Sequence, residues 1–356
     1  MRKVGSIALP TRTWLIAAQT LLGLGLLIGW ALIVDLEQVG RQLAGARLPL
    51  VLVGGLVSLI TPFLRAARWR LVLKPLARVP LIEIWLVGLA SSLINFVIPV
   101  RSGEVARSLF LKQRRGLPIA ASLPTVAVDR SFDMLTVLIL GATGALTGLS
   151  LEGTLRTVLY AGSAVFLVFV AFVALAIVSR QRVLGLAERL LPRRLGEALR
   201  RRALGLVEGF LSGFTSLSRR PGDLALLLAL SLAAAVIDAG VFYFMFASLG
   251  ARVPPMVVLT GYALFVVTFI IPGAPGYVGS MEAFGSLIFG ALGAGQALAA
   301  SMVVLFHALN ALILGLSGSA AMWALGFSPA AAFRSTAGAP EPDLARPAES
   351  DSGSIS

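Results

Sequence analysis

An apolar run from Leu81 to Ile98 stops at Pro99, and Arg101, Gly103 and Glu104 follow at once before helical spacing resumes through Arg107 and Leu111. Proline removes a backbone donor and its ring blocks a continuing helix, so one unbroken helix is excluded here. A helix restarting near Ser102 turns its unpaired N–H groups, and the positive end of its dipole, back toward the break. Such an end suits an anion. The same order of residues returns late in the chain. Ile271, Pro272, Gly273, Ala274, Pro275 and Gly276 end a second apolar run, and Tyr277 to Glu282 open a second short helix. Two interrupted hydrophobic segments at matching positions of two halves mark the binding site of a transporter.

Composition sets the solvent. Of 356 residues, 57% are hydrophobic and 13% charged, with a mean hydropathy of +0.90; a soluble domain carries roughly 25% charge. Several apolar runs reach the ~20 residues needed to cross a bilayer. The chain reads as an all-α polytopic membrane protein. Its net charge of +13 is concentrated in a few arginine-rich loops, which points to an anionic membrane surface rather than to nucleic acid. With no cysteine and a single histidine, disulfides, thiolate metal sites and multi-histidine sites are excluded. No metal and no cofactor is expected.

The arginines also orient the chain. An uncleaved first span is expected over Trp14–Val34, containing the Gly25/Gly29 pair, an ordinary helix-packing pattern. A polar loop over Asp35–Arg47 leads to a second span, Leu48 to about Leu64. Arg65, Arg68 and Arg70 follow it and are cytoplasmic by the positive-inside rule. Lys112, Arg114 and Arg115 belong on the same side, which a single crossing at Leu81–Ile98 forbids. A re-entrant hairpin satisfies both, entering from the cytoplasm, breaking at Pro99 and returning from Ser102 to Lys112. Irregular backbone at membrane depth must be buried in protein or line a wet cavity. A long helix, Leu117–Leu149, and a return span, Thr154–Val178, come next.

Residues 180–220 carry ten arginines and three glutamates, expected as amphipathic helices on the membrane surface, broken at Pro192, or as a solvated connector. Leu224–Leu249 is the next span, Pro255–Ile271 enters a second hairpin returning over Ser280–Phe289, and Gln296–Leu325 closes the domain. The expected plan is six full spans, two re-entrant hairpins and both termini cytoplasmic. Repeats at about 48–149 and 223–326 are inverted, their half-helix N-termini meeting near the midplane. Together residues 1–326 form one transmembrane domain, with a connector at 180–221 and a disordered tail at 327–356.

Asp129 and Asp133 share one helix face with Arg130 beside them, about a dozen residues into the membrane. Each such charge costs roughly 2.5–3.5 kcal/mol at a helix centre. Two readings stand: an internal ion pair that locks helices, or a polar cavity with Arg130 available to an anionic head group. A metal-binding Asp-x-x-x-Asp is disfavoured, because Arg130 repels a cation. In the first break, Arg101 carries a planar fork suited to phosphate, or snorkels to the interface. Asn95 precedes the break and Arg107 follows Glu104. Glu104 and Glu282 stand where a half-helix dipole stabilises a carboxylate, as ligands or as caps. Gly276 permits close backbone approach. Arg65, Arg68 and Arg70 are expected as interfacial anchors, and Asp238 and His307 as single buried polar groups with structural roles.

At these residues the chain resembles the lysylphosphatidylglycerol synthase transmembrane-region family of flippase-like membrane domains. Four blocks carry the resemblance, over roughly residues 10–326: Arg65-Ala66-Ala67-Arg68-Trp69; Asn95 through Arg107, read as N-x-x-x-P-x-R-x-G-E-x-x-R; Asp129-Arg130-Ser131-Phe132-Asp133; and Pro272 through Glu282. The resemblance implies a fold that moves or holds a phospholipid or a polyprenyl-phosphate lipid. Bifunctional members add a soluble aminoacyl-transferase domain; no such domain is expected after Leu325, so synthase activity does not carry over. The family's last long span often has an arginine where this chain has His307, which leaves head-group specificity open.

The leading expectation is therefore a plasma-membrane lipid translocator for an anionic lipid, not an enzyme, with Asn95, Arg101, Glu104, Arg107, Asp129, Arg130, Asp133, Gly276, Glu282 and His307 as head-group or cavity residues. With no nucleotide-binding motif, transport would be passive or ion-coupled. An intramembrane glycosyl or prenyl transferase is the second class and would need a catalytic cluster that the sequence does not show. A non-transporting subunit that delivers lipid to a partner lipid-modifying enzyme is the third. Membrane lipids are the expected partners, with such an enzyme or a second copy of the chain left open.

Overall fold

The computed structural model describes residues 10–98, 102–146, 179–190, 196–218, 220–269 and 273–327, with isolated positions between 147 and 178. Among the described residues every regular element is helical. Both proline breaks are flanked by described residues, but Pro99, Val100, Arg101 and Pro272 themselves lie outside them, as do the expected span Thr154–Val178, Pro192 and the tail from 328.

Helix α1 (Pro10–Ile33) is followed by α2 (Leu36–Ala44) at a bend of 88°. The second helix corrects the expectation of a polar loop. Asp35 caps it, its carboxylate accepting the Gln38 N–H at 2.9 Å. Val39 is buried against Val34 and Ala300, with Leu43 packed beside it. The polar residues that suggested a loop form the outer face of an amphipathic helix.

Helices α3 (Leu48–Ser58) and α4 (Ile60–Leu73) run on through Leu59 as one apolar rod, longer than the expected span to Leu64. The first hairpin follows as α5 (Leu81–Val97) and α6 (Ser102–Arg115). The two helices are antiparallel. At the tip the Gly103 N–H donates to Asn95 Oδ1 at 2.7 Å, and at the open end Glu83 of α5 binds Arg114 and Arg115 of α6. Contact at the tip is close enough to demand glycine, since a Cβ on Gly103 would lie 2.1 Å from the Ser91 carbonyl oxygen. Lys112, Arg114 and Arg115 thus end α6 beside the start of α5, as the hairpin reading requires.

Helix α7 (Ile119–Leu146) carries Asp129, Arg130 and Asp133 near its middle. Helices α8 (Arg180–Leu190) and α9 (Glu197–Ser218) form the connector. One face of α9 packs along α7, while much of both helices is exposed. Gly209 sits beside Pro124 and Gly213 beside Val128, while Leu211 is buried with Val183. Regularly spaced leucines and glycines give α9 a face that protein covers.

Helix α10 (Pro221–Ser248), the second hairpin of α11 (Pro255–Thr268) and α12 (Ser280–Phe289), and α13 (Gln296–Ala324) complete the described chain. Helix α12 returns along α11, bringing Gly285 against Phe265 and Phe289 against Gly261. Phe327, expected to begin the tail, packs its ring on Phe110 at 5.0 Å and belongs to the folded body.

Packing between the halves is reciprocal. Helix α5 of the first hairpin packs on α13, α11 of the second packs on α7, and α3 and α4 pack on α10. Each hairpin therefore leans on the long helix that follows the other. Two apolar clusters result, one built on α4–α7 and one on α10–α13. Among the described residues three helices are long and apolar enough to cross a bilayer, Leu48–Leu73, α10 and α13, and the bent α1–α2 pair qualifies when taken together. Helices α5 and α11 are apolar but shorter, in keeping with hairpin arms.

Candidate functional site

A charge network links α4, α6 and α7 to α10 and α11. Arg68, only 1% exposed, donates through Nε to Asp129 at 2.7 Å and through one terminal nitrogen to Asp133 at 2.7 Å and Ser231 at 2.9 Å. Asp129 is also 3.3 Å from Arg107, whose guanidinium lies 5.2 Å from the centroid of the Trp69 ring. Arg130 pairs with Asp133 at 2.9 Å and with Glu104 at 3.2 Å. Arg65 pairs with Asp238 at 2.9 Å, and Tyr262 donates its hydroxyl to the same carboxylate at 3.1 Å. Four arginines (65, 68, 107 and 130) thus face four carboxylates (104, 129, 133 and 238), a formal balance of zero. Buried charges persist only when paired in this way.

Charge is balanced but hydrogen-bond donors are not. Arg107 Nε and Arg68 Nη2 are buried without a hydrogen bond, and Nε of Arg65 and Arg130, although 3.8 Å from Asp133 and 3.2 Å from Glu104, also lack a well-directed one. Carboxylate oxygens accept only and guanidinium nitrogens donate only, so these four donors are imperfectly satisfied by the acceptors around them.

A cavity of about 350 Å³ opens beside this network, between the two halves. Arg65, Glu104, Arg130, Asp133 and Asp238 supply its charged wall. Asn95, Tyr262 and Asn310 add polar groups, and Phe96, Phe242, Phe265, Phe269 and Phe306 supply its aromatic lining. The described flanks of the two breaks meet at its edge. The Phe96 ring, at the end of α5, lies 6.4 Å from that of Tyr277, in the turn before α12.

That turn is fixed by its own contacts. Gly276 and Gly279 take positive φ, +69° and +81°. Glu282 caps α12 by accepting the Gly279 N–H at 2.8 Å. Its second oxygen meets His307 Nδ1, and His307 Nε2 reaches the Gly276 carbonyl.

The sequence-derived residues therefore divide. Asn95, Glu104, Arg130 and Asp133 line the cavity. Arg107 and Asp129 lie behind it as buried members of the network. Gly276, Glu282 and His307 form a separate group at the second break. Arg101 lies outside the described residues. The expectation of interfacial anchors is corrected for Arg65 and Arg68, which point inward to Asp238, Asp129 and Asp133; Arg70 is exposed. Asp238 is not an isolated polar group but part of the cavity wall. Ser231, Tyr262 and Asn310 were not anticipated, and no local signal marks them, since their partners or neighbours lie far away in sequence.

The model of the lysylphosphatidylglycerol synthase transmembrane region matches residues 16–318. The chain belongs to that family. It is 27% identical over 357 residues to the glycosyltransferase AglD of Haloferax volcanii, an alignment covering 92% of this chain and 57% of that protein. It is 24% identical over 297 residues to a UPF0104 membrane protein of Pyrococcus horikoshii, covering 79% of this chain and 87% of the relative. The chain thus spans little more than half the length of the glycosyltransferase. No solved structure matches it significantly. The family is one of membrane domains, and the apolar helices of this member agree with that.

Proposed function

We propose that this protein carries an anionic lipid head group, of a phospholipid or a polyprenyl phosphate, across the plasma membrane through the cavity between its two hairpins. The observation that carries the reading is the placing of two arginines, Arg65 and Arg130, on the cavity wall, each with a nitrogen whose nearest carboxylate gives it no well-directed hydrogen bond. Two oxygens of a phosphate accept side by side from the planar fork of a guanidinium. The three carboxylates on the wall oppose a bare anion, so a head group enters by displacing one of them. Glu104 holds Arg130 at 3.2 Å, the longest contact among the pairs on the wall apart from the 3.8 Å approach of Arg65 to Asp133. The aromatic lining gives the first carbons of the acyl or prenyl chain an apolar path.

The two hairpins are read as re-entrant, and the halves as an inverted repeat with both termini in the cytoplasm. Support comes from the reciprocal packing of each hairpin on the other half's long helix and from the arginines gathered at the open end of the first hairpin. A second reading, delivery of a lipid to a glycosyl-transferring partner, is favoured by the name of the Haloferax relative.

Reconstitution into liposomes with fluorescent lipids, compared head group by head group, tests the proposal. Transport should be selective for a phosphate-bearing anionic head group. Arg130→Lys keeps the charge but loses the fork, and should slow transport by about tenfold, the equivalent of one charge-assisted hydrogen bond. Arg101→Lys applies the same test to the first break. Empty-liposome rates for every lipid would contradict transport and leave the delivery reading.

A further inference from the structure

His307, the single histidine of the chain, is held by three other elements. Its Nε2 lies 2.8 Å from the Gly276 carbonyl oxygen in the second break, and its Nδ1 lies 2.5 Å from Glu282 Oε1 of α12. The other Glu282 oxygen is occupied by the Gly279 N–H. Phe96 of α5 meets the imidazole edge-on, 5.9 Å between centroids.

Counting donors fixes the proton content of this group. A carbonyl oxygen only accepts, so Nε2 carries hydrogen. A neutral imidazole then presents a lone pair at Nδ1. An ionised Glu282 oxygen against that lone pair is two acceptors in contact with nothing between them. The observed contact therefore holds one further proton, on Nδ1 or on Oε1. Either placement leaves the pair neutral overall, which suits a site within a membrane.

Other charges near α13 are engaged elsewhere. On α5, Glu83 pairs with Arg114 and Arg115; on α10, Asp238 pairs with Arg65 and Asp223 with Arg220; on α2, Glu37 pairs with Arg41. Helix α3 has no charged residue, and Glu282 is the one on α12. Glu282 is thus the charged side chain that answers His307.

We infer that Glu282 and His307 form a single proton-binding site that clamps the second break to α13, so that occupancy by this proton decides whether the turn at 276–279 is held. Loss of the proton sets carboxylate against lone pair, and His307 must release either Glu282 or Gly276. The inference goes beyond lipid carriage and does not depend on it.

The test uses the full chain in lipid nanodiscs, with ¹⁵N-labelled histidine giving one imidazole. At neutral pH the wild-type ring should show a protonated Nε2 and an Nδ1 that carries or shares a proton. Glu282→Gln should give a neutral ring whose nitrogen shifts no longer change as pH rises, because the glutamine amide donates to Nδ1 without an added proton and can still cap α12. In a second readout, Val278→Cys in this cysteine-free chain is labelled with a thiol reagent, its rate normalised to Leu287→Cys. Raising pH should increase relative labelling about fivefold, as expected from loss of one buried hydrogen bond. It should change nothing when Glu282→Gln or His307→Gln is present. Wild-type ring nitrogen shifts that stay fixed as pH rises, or the same rise of labelling with pH in all three chains, overturns the proposal. Neither readout involves lipid movement, so failure of transport is distinguishable from failure of the proton site.

Discussion

Arg68→Ala should destabilise the protein more than any other single truncation in the charge network, by about 3–5 kcal/mol, the usual cost of removing one partner from a buried ion pair. The reason is what remains. Asp129 keeps only Arg107, at 3.3 Å, and Asp133 keeps Arg130 and the distant Arg65. The Ser231 hydroxyl also loses the donor it accepts from. A carboxylate left short of partners in a low-dielectric interior is far costlier than the lost contact itself. Thermal melting of purified protein checks this. Arg65→Ala should cost clearly less, because Arg65 is 34% exposed on its side chain and solvent screens it. Combining Arg68→Ala with Asp129→Ala should cost less than the two single losses added together, since the second change removes the stranded charge. Strict additivity would mean that the network does not act as a unit.

Gly279→Ala should have the second large effect. Gly279 has φ +81° and ψ −42°, where a side chain is strained whatever the space around it. Space is also lacking, since a Cβ would lie 1.9 Å from the Gly23 carbonyl oxygen and 2.8 Å from the Leu27 nitrogen, both backbone atoms of α1. Backbone strain of about 1–3 kcal/mol adds to overpacking of similar size. The chain can relieve the clash only by moving α1 off the second break, which also loosens the Trp30 N–H bond to Ser286 at 2.9 Å. Melting temperature should fall and α1 should become accessible to protease. By contrast, Gly25→Ala and Gly29→Ala meet open space and should be close to neutral. If Gly279→Ala melts like those two, α1 is not seated on the break as described.

The sequence made some of this plain and hid the rest for physical reasons. Pro99 and Pro272 announce their breaks because proline acts locally, and the arginines ending α6 suggest the hairpin through the positive-inside rule. Asp129, Arg130 and Asp133 stand out because charge is scarce in an apolar helix. Arg65 and Arg68 misled because a basic cluster closing an apolar run looks like an anchor. What brings Arg68 inward is Asp129, 61 residues away, and Arg65 answers Asp238, 173 residues away. No periodicity reports such pairings. The second helix was hidden differently, its polar outer face outweighing the Val39 and Leu43 stripe that α13 and α1 cover.

Whether a lipid head group occupies the cavity is tested most directly by photo-crosslinking in native-lipid nanodiscs. A photoreactive residue replaces Asn310 on the cavity wall in one protein, and surface-exposed Leu312, on the same helix, in another. Position 310 should yield adducts enriched in one phosphate-bearing anionic lipid class, suppressed by Arg130→Lys, while position 312 reports the bulk lipid composition. Adducts at 310 that mirror those at 312, with no head-group preference, would contradict the account.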